Sequence, residues 1–389
     1  MLSAKGRLPR SIFTATAVRR RRKSLDRVSD SKPGLRGRRV LLLLVLIGFV
    51  ALVTSRFTDL KGLASTLLQG RWQWILAAIL LHVLYFGLYA KLYQFGFRTV
   101  EVESDAIRLL PVLFASLFVN AVAPTGGAGG AALFVDDAVQ QGQSGARTAV
   151  GMVLVLVADL STLIPFVLAG VVFLAIQHEL RIYHIAGVTI FFLFIGILIG
   201  ALLLARWRPQ QLRRLLGWLH RRISQVGSWF NHPNLLSDDW AAQNADQLCD
   251  ATAAIAEHPN QLGLALAAAM FLHIVNLAGL YMLFLAFQQT VAIGILLAAF
   301  GMGIVFFVVS VFQGAGAVEA IMTLVFTAAG IPKTKAVVIS LAFRGLNFWL
   351  PLLIGFFFLR KVRSFGAESR PQTGEKQTEK GLKTEGEPD

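Results

Sequence analysis

Six ionisable residues, His82, Lys91, Asp159, His273, Glu319 and Arg344, lie inside stretches of sequence that are otherwise almost wholly apolar. A charge at the centre of a bilayer costs about 2.5–3.5 kcal/mol or more unless it is paired or solvated, so each is a candidate for function. Asp159 stands six residues before Pro165 and Arg344 seven before Pro351. That similar placement leads us to expect Asp159, Glu319 and Arg344 near one another. Two readings stay open: a polar centre that handles a substrate, or an Asp–Arg pair that locks two helices. His82 and His273 recur in similar contexts, but each is alone in its segment, so hydrogen bonding within the bundle is expected of both. Asn120, Asn276 and Asn347 read as helix-to-helix hydrogen bonders, and Lys91 as a side chain reaching for the interface.

Glycines supply the second signal. Gly126, Gly127, Gly129 and Gly130 follow Asn120 and Pro124, and Gly314 and Gly316 precede Glu319. Glycine lets a chain turn sharply and approach a ligand closely. A half-helix that starts after such a turn aims unpaired N–H groups and a positive dipole at whatever faces it, which suits the phosphate of a lipid headgroup. Small-residue packing between helices is the plainer reading. The candidate headgroup site is therefore Asn120, Gly126, Gly127, Gly129, Gly130, Asp159, Gly314, Gly316, Glu319 and Arg344.

The elements that must position these residues are membrane helices. The chain is 55% hydrophobic and only 15% charged, with a mean hydropathy of +0.63. Runs near the 20 or so apolar residues a spanning helix needs occur at 40–57, 72–97, 106–135, 147–176, 184–205, 260–287, 291–330 and 336–360. The runs 106–135 and 291–330 carry glycine and proline at a density that breaks a helix in its middle. Broken backbone at membrane depth survives only when buried in protein or lining a cavity. Both runs are read as re-entrant hairpins.

Charge placement supports that reading. Arg98, Arg108, the arginines of 206–258 and the group Arg360, Lys361 and Arg363 all fall on the cytoplasmic side if each hairpin enters and leaves by one face. Lys333 and Lys335 depart from the rule. The expected fold is an all-α polytopic membrane protein with six crossings and two hairpins, about eight helical segments. Its halves, 40–176 and 184–360, have three crossings each and would form an inverted repeat. Sequence echoes agree, with Leu81-His82-Val83 answering Leu272-His273-Ile274 and a 17-residue interval separating Thr148 from Pro165 and Thr334 from Pro351. Inverted repeats with interrupted helices belong to transporters.

Outside the helices, residues 1–39 read as a disordered basic cytoplasmic arm and 363–389 as a disordered cytoplasmic tail. The insert 206–258 carries leucines at helical spacing, with Arg213, Arg214, Arg221 and Arg222 on other faces. It reads either as an amphipathic helix on the inner leaflet or as a helix packed on the protein's own cytoplasmic face. The net charge of +15 points to anionic inner-leaflet lipid at the arm and the insert, not to nucleic acid, because the basic residues border apolar segments. The single cysteine, Cys249, excludes an intrachain disulfide. No metal or cofactor is implied, and nothing in the sequence indicates an oligomeric state.

Two stretches resemble a known family. Asn120-Ala-Val-Ala-Pro124-Thr-Gly-Gly-Ala-Gly-Gly130, with Asp159 in the next helix, is similar to the first signature of the lysylphosphatidylglycerol synthase transmembrane (flippase-like) region. Gly314-Ala-Gly-Ala-Val-Glu319, Gly330-Ile-Pro and Arg344-Gly-Leu-Asn-Phe-Trp-Leu-Pro351 are similar to the second. The resemblance implies a multi-pass protein of the bacterial plasma membrane. It implies a relation to the part of the synthase that moves aminoacylated phosphatidylglycerol between leaflets. Only a short tail follows the last helix, so the synthase's soluble aminoacyl-transferase domain, and with it synthase activity, is not expected. Asp136 and Asp137 stand where the family often has basic residues, and Val311-Phe312-Gln313 where it often has prolines.

The leading expectation is a translocase for a phospholipid or modified lipid, without covalent catalysis. An ion-coupled secondary transporter using Asp159 and Glu319 is a second class, and an accessory subunit of a cell-envelope lipid-modifying enzyme another. An intramembrane enzyme ranks last, because acid–base chemistry wants positioned carboxylates or a His–carboxylate pair and no short-range pair of that kind occurs.

Overall fold

The computed structural model describes residues 70–122, 127–229, 240–310, 314 and 316–368. The expected first crossing at 40–57, the basic arm and the tail beyond 368 lie outside the described residues, as does Gly126. Helix α1 spans Trp72–Thr99, α2 Ala106–Val122, α3 Ala128–Gln140, α4 Gly145–Ile176 and α5 Ile182–Trp207. Next come α6 (Pro209–Trp229), α7 (Trp240–Glu257), α8 (Pro259–Ala286), α9 (Ile293–Val309) and α10 (Ala317–Ala328). The last long helix starts as α11 (Lys333–Arg344), passes through a π-helical turn at Gly345–Trp349 and ends as α12 (Leu350–Glu368). Every described element is helical, and no strand occurs among the described residues.

Five of these segments are long and apolar enough to cross a bilayer: α1, α4, α5, α8 and the composite Lys333–Leu359. The protein is a polytopic helical membrane protein. Large apolar side chains are exposed along these helices, including Leu80, Val83, Leu193, Ile197 and Phe357. Contiguous exposed apolar surface of this kind is unfavourable in water but suits helices solvated by lipid chains.

The two glycine-rich runs are broken where the sequence leads one to expect it. Run 106–135 is not one helix but α2 and α3, with Gly127 at φ +93° at the turn, and α3 extends past the expected end to Gln140. Run 291–330 is α9 and α10, joined through Gly314 at φ +71° and Gly316 at φ +84°. Side-chain-bearing residues adopt these left-handed conformations rarely, which explains glycine at the two turns. Pro111 and Pro165 lie inside α2 and α4 without ending them. The helix of α12 runs to Glu368, into the stretch assigned to the tail.

Packing pairs helices that are far apart in sequence. The α1–α8 interface is the most extensive, and α4 packs along α9 as α12 packs along α2. Close backbone approach is made possible by small residues. A Cβ on Gly170 would lie 2.9 Å from the Leu297 carbonyl oxygen, and one on Gly301 would lie 2.9 Å from that of Phe166. The α4–α9 crossing is thus backbone against backbone on both sides, as small residues permit where lipid gives helices little hydrophobic drive to associate. Gly355 presses against the Phe114 carbonyl in the α2–α12 crossing in the same manner.

Candidate functional site

The centre of the bundle holds a cavity of about 160 Å³ whose walls come from α1, α2, α4, α8, α9, α10 and the last helix. Its polar lining is Tyr85, Tyr89, Asp159, His273, Asn276, Arg344 and Asn347, set among phenylalanines and aliphatic side chains. Helical spacing explains the set. Tyr85 and Tyr89 are one turn apart on α1, and Arg344 and Asn347 flank the start of the π-helical turn. A π turn inserts an extra residue into the helix and re-aims the side chains after it.

Arg344 and Glu319 meet, with the arginine Nε 3.3 Å from Oε1. Arg344 is 4% exposed and its guanidinium sits 4.4 Å above the Phe348 ring, a cation–π arrangement. The other carboxylate oxygen, Oε2, accepts a 2.8 Å hydrogen bond from the Gly316 amide. Glu319 therefore caps the start of its own helix α10 and ties that tip to the last helix. The first hairpin is closed in a related way: Asn120 Oδ1 accepts from the Gly130 amide at 2.8 Å. A Cβ on Gly130 would overlap the Asn120 amide group, so glycine is required there for contact rather than for backbone freedom.

These bonds hold the glycine tips within the hairpins. One amide of each tip is satisfied by an oxygen of the chain itself, and Gly127, Gly129, Gly130, Gly314 and Gly316 are not among the residues lining the central cavity. They shape the hairpins, and the hairpins deliver other residues to the site: Leu117 and Ala121 from α2, Gly303 and Phe307 from α9, Val318 and Met322 from α10.

Asp159 shares the cavity with Arg344 but is met by His273, which rules against an Asp–Arg lock as its main contact. His273 Nε2 lies 3.2 Å from Asp159 Oδ1 and 3.4 Å from the Asp159 carbonyl oxygen. Only the second contact has hydrogen-bond geometry, so Oδ1 is buried without a hydrogen bond among the described residues. His273 packs edge-on against Phe166, its ring held between helices. The residues are 114 positions apart. This is a His–carboxylate pair that sequence spacing could not reveal.

The two histidines differ. His82 Nδ1 lies 2.8 Å from the Ala78 carbonyl, and Asn347 Nδ2 lies 2.8 Å from His82 Nε2. That pattern fits the Nδ1–H tautomer, with Asn347 donating to Nε2 and also to the Phe343 carbonyl at 3.2 Å. His82 is a bundle fastener, as expected, seated against Gly279 of α8. Asn120 and Asn347 likewise make bonds between segments. Asn276 does not: it is 8% exposed, lines the cavity, and its Oδ1 has no hydrogen-bond partner among the described residues. Lys91 is exposed and donates to Gln94 Oε1 at 2.9 Å.

Sequence reasoning missed Asn276 as a site residue, together with Tyr85, Tyr89 and Asn347. The four-residue spacing of Tyr85, Tyr89 and Tyr93 was the available signal, since it sets three phenols on one helical face. Among the described residues no three His, Cys, Asp or Glu side chains are grouped so as to hold a metal ion.

Residues 39–355 match the family described as the lysylphosphatidylglycerol synthase TM region. The chain belongs to this family. The matched span takes in both hairpins, the His273–Asp159 and Arg344–Glu319 pairs and the π-helical turn. No curated protein and no solved structure matches the chain. Membership makes it a membrane protein concerned with lipid.

Proposed function

We propose that the chain is a flippase-like translocase that carries the headgroup of a phospholipid or modified lipid between leaflets, without covalent chemistry. The observation that carries this reading is the central cavity. Among the described residues two buried acceptors in it make no hydrogen bond, Asp159 Oδ1 and Asn276 Oδ1, within a bundle whose outer faces are apolar. A buried polar atom without a partner costs about 1–3 kcal/mol. A ligand carrying hydrogen-bond donors would recover that free energy while its acyl chains stayed in lipid.

We further infer that the halves form an inverted repeat of three crossings and one hairpin each, with 40–57 as the sixth crossing. Exchanging α1 with α8, α2 with α9, α3 with α10 and α4 with the last helix maps the α4–α9 contact onto the α12–α2 contact. It also maps the hairpin pairs α2–α3 and α9–α10 onto each other. The cavity then sits at the pseudo-two-fold centre, the location expected of a transport site. The basic groups put both termini in the cytoplasm of a bacterial cell, with the helices in its plasma membrane.

The His273–Asp159 pair favours a second reading, in which movement of a proton drives transport. Both readings are tested by reconstituting the full chain into vesicles with headgroup-labelled lipids of several classes. Leaflet accessibility is then followed with and without a pH gradient. Translocation of at least one class, reduced at least tenfold by Asp159→Asn with folding intact, is the expected result. No movement of any lipid class removes the leading reading, and indifference to the gradient removes the second.

A further inference from the structure

Helix α6 follows α5 with only Arg208 between them. One residue spans at most about 3.6 Å, so α6 starts at the level where the apolar helix α5 leaves the bilayer. Trp207, 73% exposed, marks that level as interfacial aromatic residues do. The rotation of α6 about its axis is set by its neighbours. Leu212 is buried in a small cluster with Ala205 of α5 and Ala245 of α7, and Leu216 packs against it. Arg213 reaches Asp246 of α7 at 2.8 Å.

This packing uses one apolar stripe and leaves another. Leu215, Trp218 and Leu219 are 50%, 49% and 37% exposed. At 3.6 residues per turn Leu219, Leu215 and Trp218 lie roughly 40°, 80° and 140° around the helix from the midline of Leu212 and Leu216. Arg214 and Arg221 are exposed along the edge of this stripe beyond Trp218, and Arg222 is exposed within it, 5.6 Å from the centroid of the Trp218 ring. The two readings of the insert are therefore not exclusive, because each describes a different face of the same helix.

We propose that α6 is an interfacial anchor for an anionic leaflet, with Leu215, Trp218 and Leu219 at the acyl boundary and Arg214, Arg221 and Arg222 among lipid phosphates. An apolar stripe edged by arginine is complementary to an anionic membrane surface. Each basic residue held near such a surface contributes about 1 kcal/mol, or about fivefold in occupancy. The neighbouring spanning helix keeps the stripe at the surface, so no separate recruitment is needed. This inference does not depend on whether the protein moves lipid.

The test uses the full chain in a Cys249→Ser background, with an environment-sensitive fluorophore on Leu215→Cys or Trp218→Cys and, as control, on Gln210→Cys on an exposed part of the polar face. The protein is reconstituted into phosphatidylcholine vesicles with or without phosphatidylglycerol. Doxyl-lipid quenching of Leu215→Cys and Trp218→Cys should be strong in the presence of phosphatidylglycerol, while Gln210→Cys is quenched by iodide instead. Replacing Arg214, Arg221 and Arg222 with Gln should return doxyl quenching to its level in phosphatidylcholine alone. Access of iodide to the Leu215 and Trp218 probes in both vesicle types overturns the proposal. So does equal doxyl quenching with and without phosphatidylglycerol, and so does protection from both quenchers, which would indicate a protein partner or a second copy. None of these readouts involves lipid translocation, so failure of the transport reading is distinguishable.

Discussion

Replacing Arg344 with Met should destabilise the protein by about 3 kcal/mol, and most of that loss should disappear when Glu319→Gln is added. The side chains of Arg344 and Glu319 are 5% and 14% exposed, so neither ion is solvated by water to any extent. Removing one partner of a buried ion pair costs about 3–5 kcal/mol, because the other charge stays behind uncompensated. The lower end applies here, since Glu319 keeps the bond its Oε2 accepts from the Gly316 amide. Arg344→Met also loses the contact with the Phe348 ring, at 4.4 Å. In the double variant, the glutamine side chain introduced by Glu319→Gln can still accept from the Gly316 amide and no charge is buried, so a coupling energy of about 1.5–3 kcal/mol is expected between the two sites. Reversible unfolding in mixed detergent micelles, followed by tryptophan fluorescence, gives the four corners of the cycle. A double variant as unstable as the sum of the two single variants would refute the reasoning that this pair is a buried lock between α10 and the last helix.

Gly130→Ala should cost about 1–3 kcal/mol by overpacking, because the new methyl displaces the Asn120 amide that closes the first hairpin; thermal denaturation in detergent reads it. Gly301→Val should be at least as damaging, since its side chain would be driven into the Phe166 carbonyl across the α4–α9 crossing, and loss of monodisperse material on size exclusion is the expected sign. Burial pushes the Cys249 thiol up, with Arg213 pulling it the other way. The thiolate is the reactive form, so maleimide labelling should be slower than for an exposed thiol at the same pH and should accelerate as pH rises. Arg213→Gln should slow it further, and the initial rate as a function of pH checks the sign.

The match between sequence and fold was closest where one physical signal dominated. Apolar length located the helices α1, α4, α5 and α8 to within about two residues at most ends, because spanning a hydrocarbon layer demands a fixed run of apolar residues. The hairpin breaks were legible because glycine adopts φ values such as those of Gly127, Gly314 and Gly316 at far lower cost than other residues. The nearness of Glu319 and Arg344 was legible, since charges in hydrocarbon have few alternatives to one another, but the sequence offered Asp159 as the arginine's locking partner, and only the packing gives it Glu319.

Other contacts depend on distances that no local pattern encodes. His273 reaches Asp159 across 114 positions because α8 and α4 pack side by side, and nothing in either segment names the other. Asn276 looks like any polar residue available for interhelical bonding; only the packing shows that it lines a cavity and that its buried Oδ1 makes no hydrogen bond among the described residues. Leu212 and Leu215 are the same residue type three positions apart on one helix, yet one is buried by α5 and α7 and the other is left exposed. Composition and spacing determined that this chain is a helical membrane protein with two interrupted helices and intramembrane charges. Which charges pair, which polar atoms remain free and which apolar face meets lipid were decided by tertiary packing, because hydrogen bonds and burial depend on separations of a few ångströms between segments far apart in the chain.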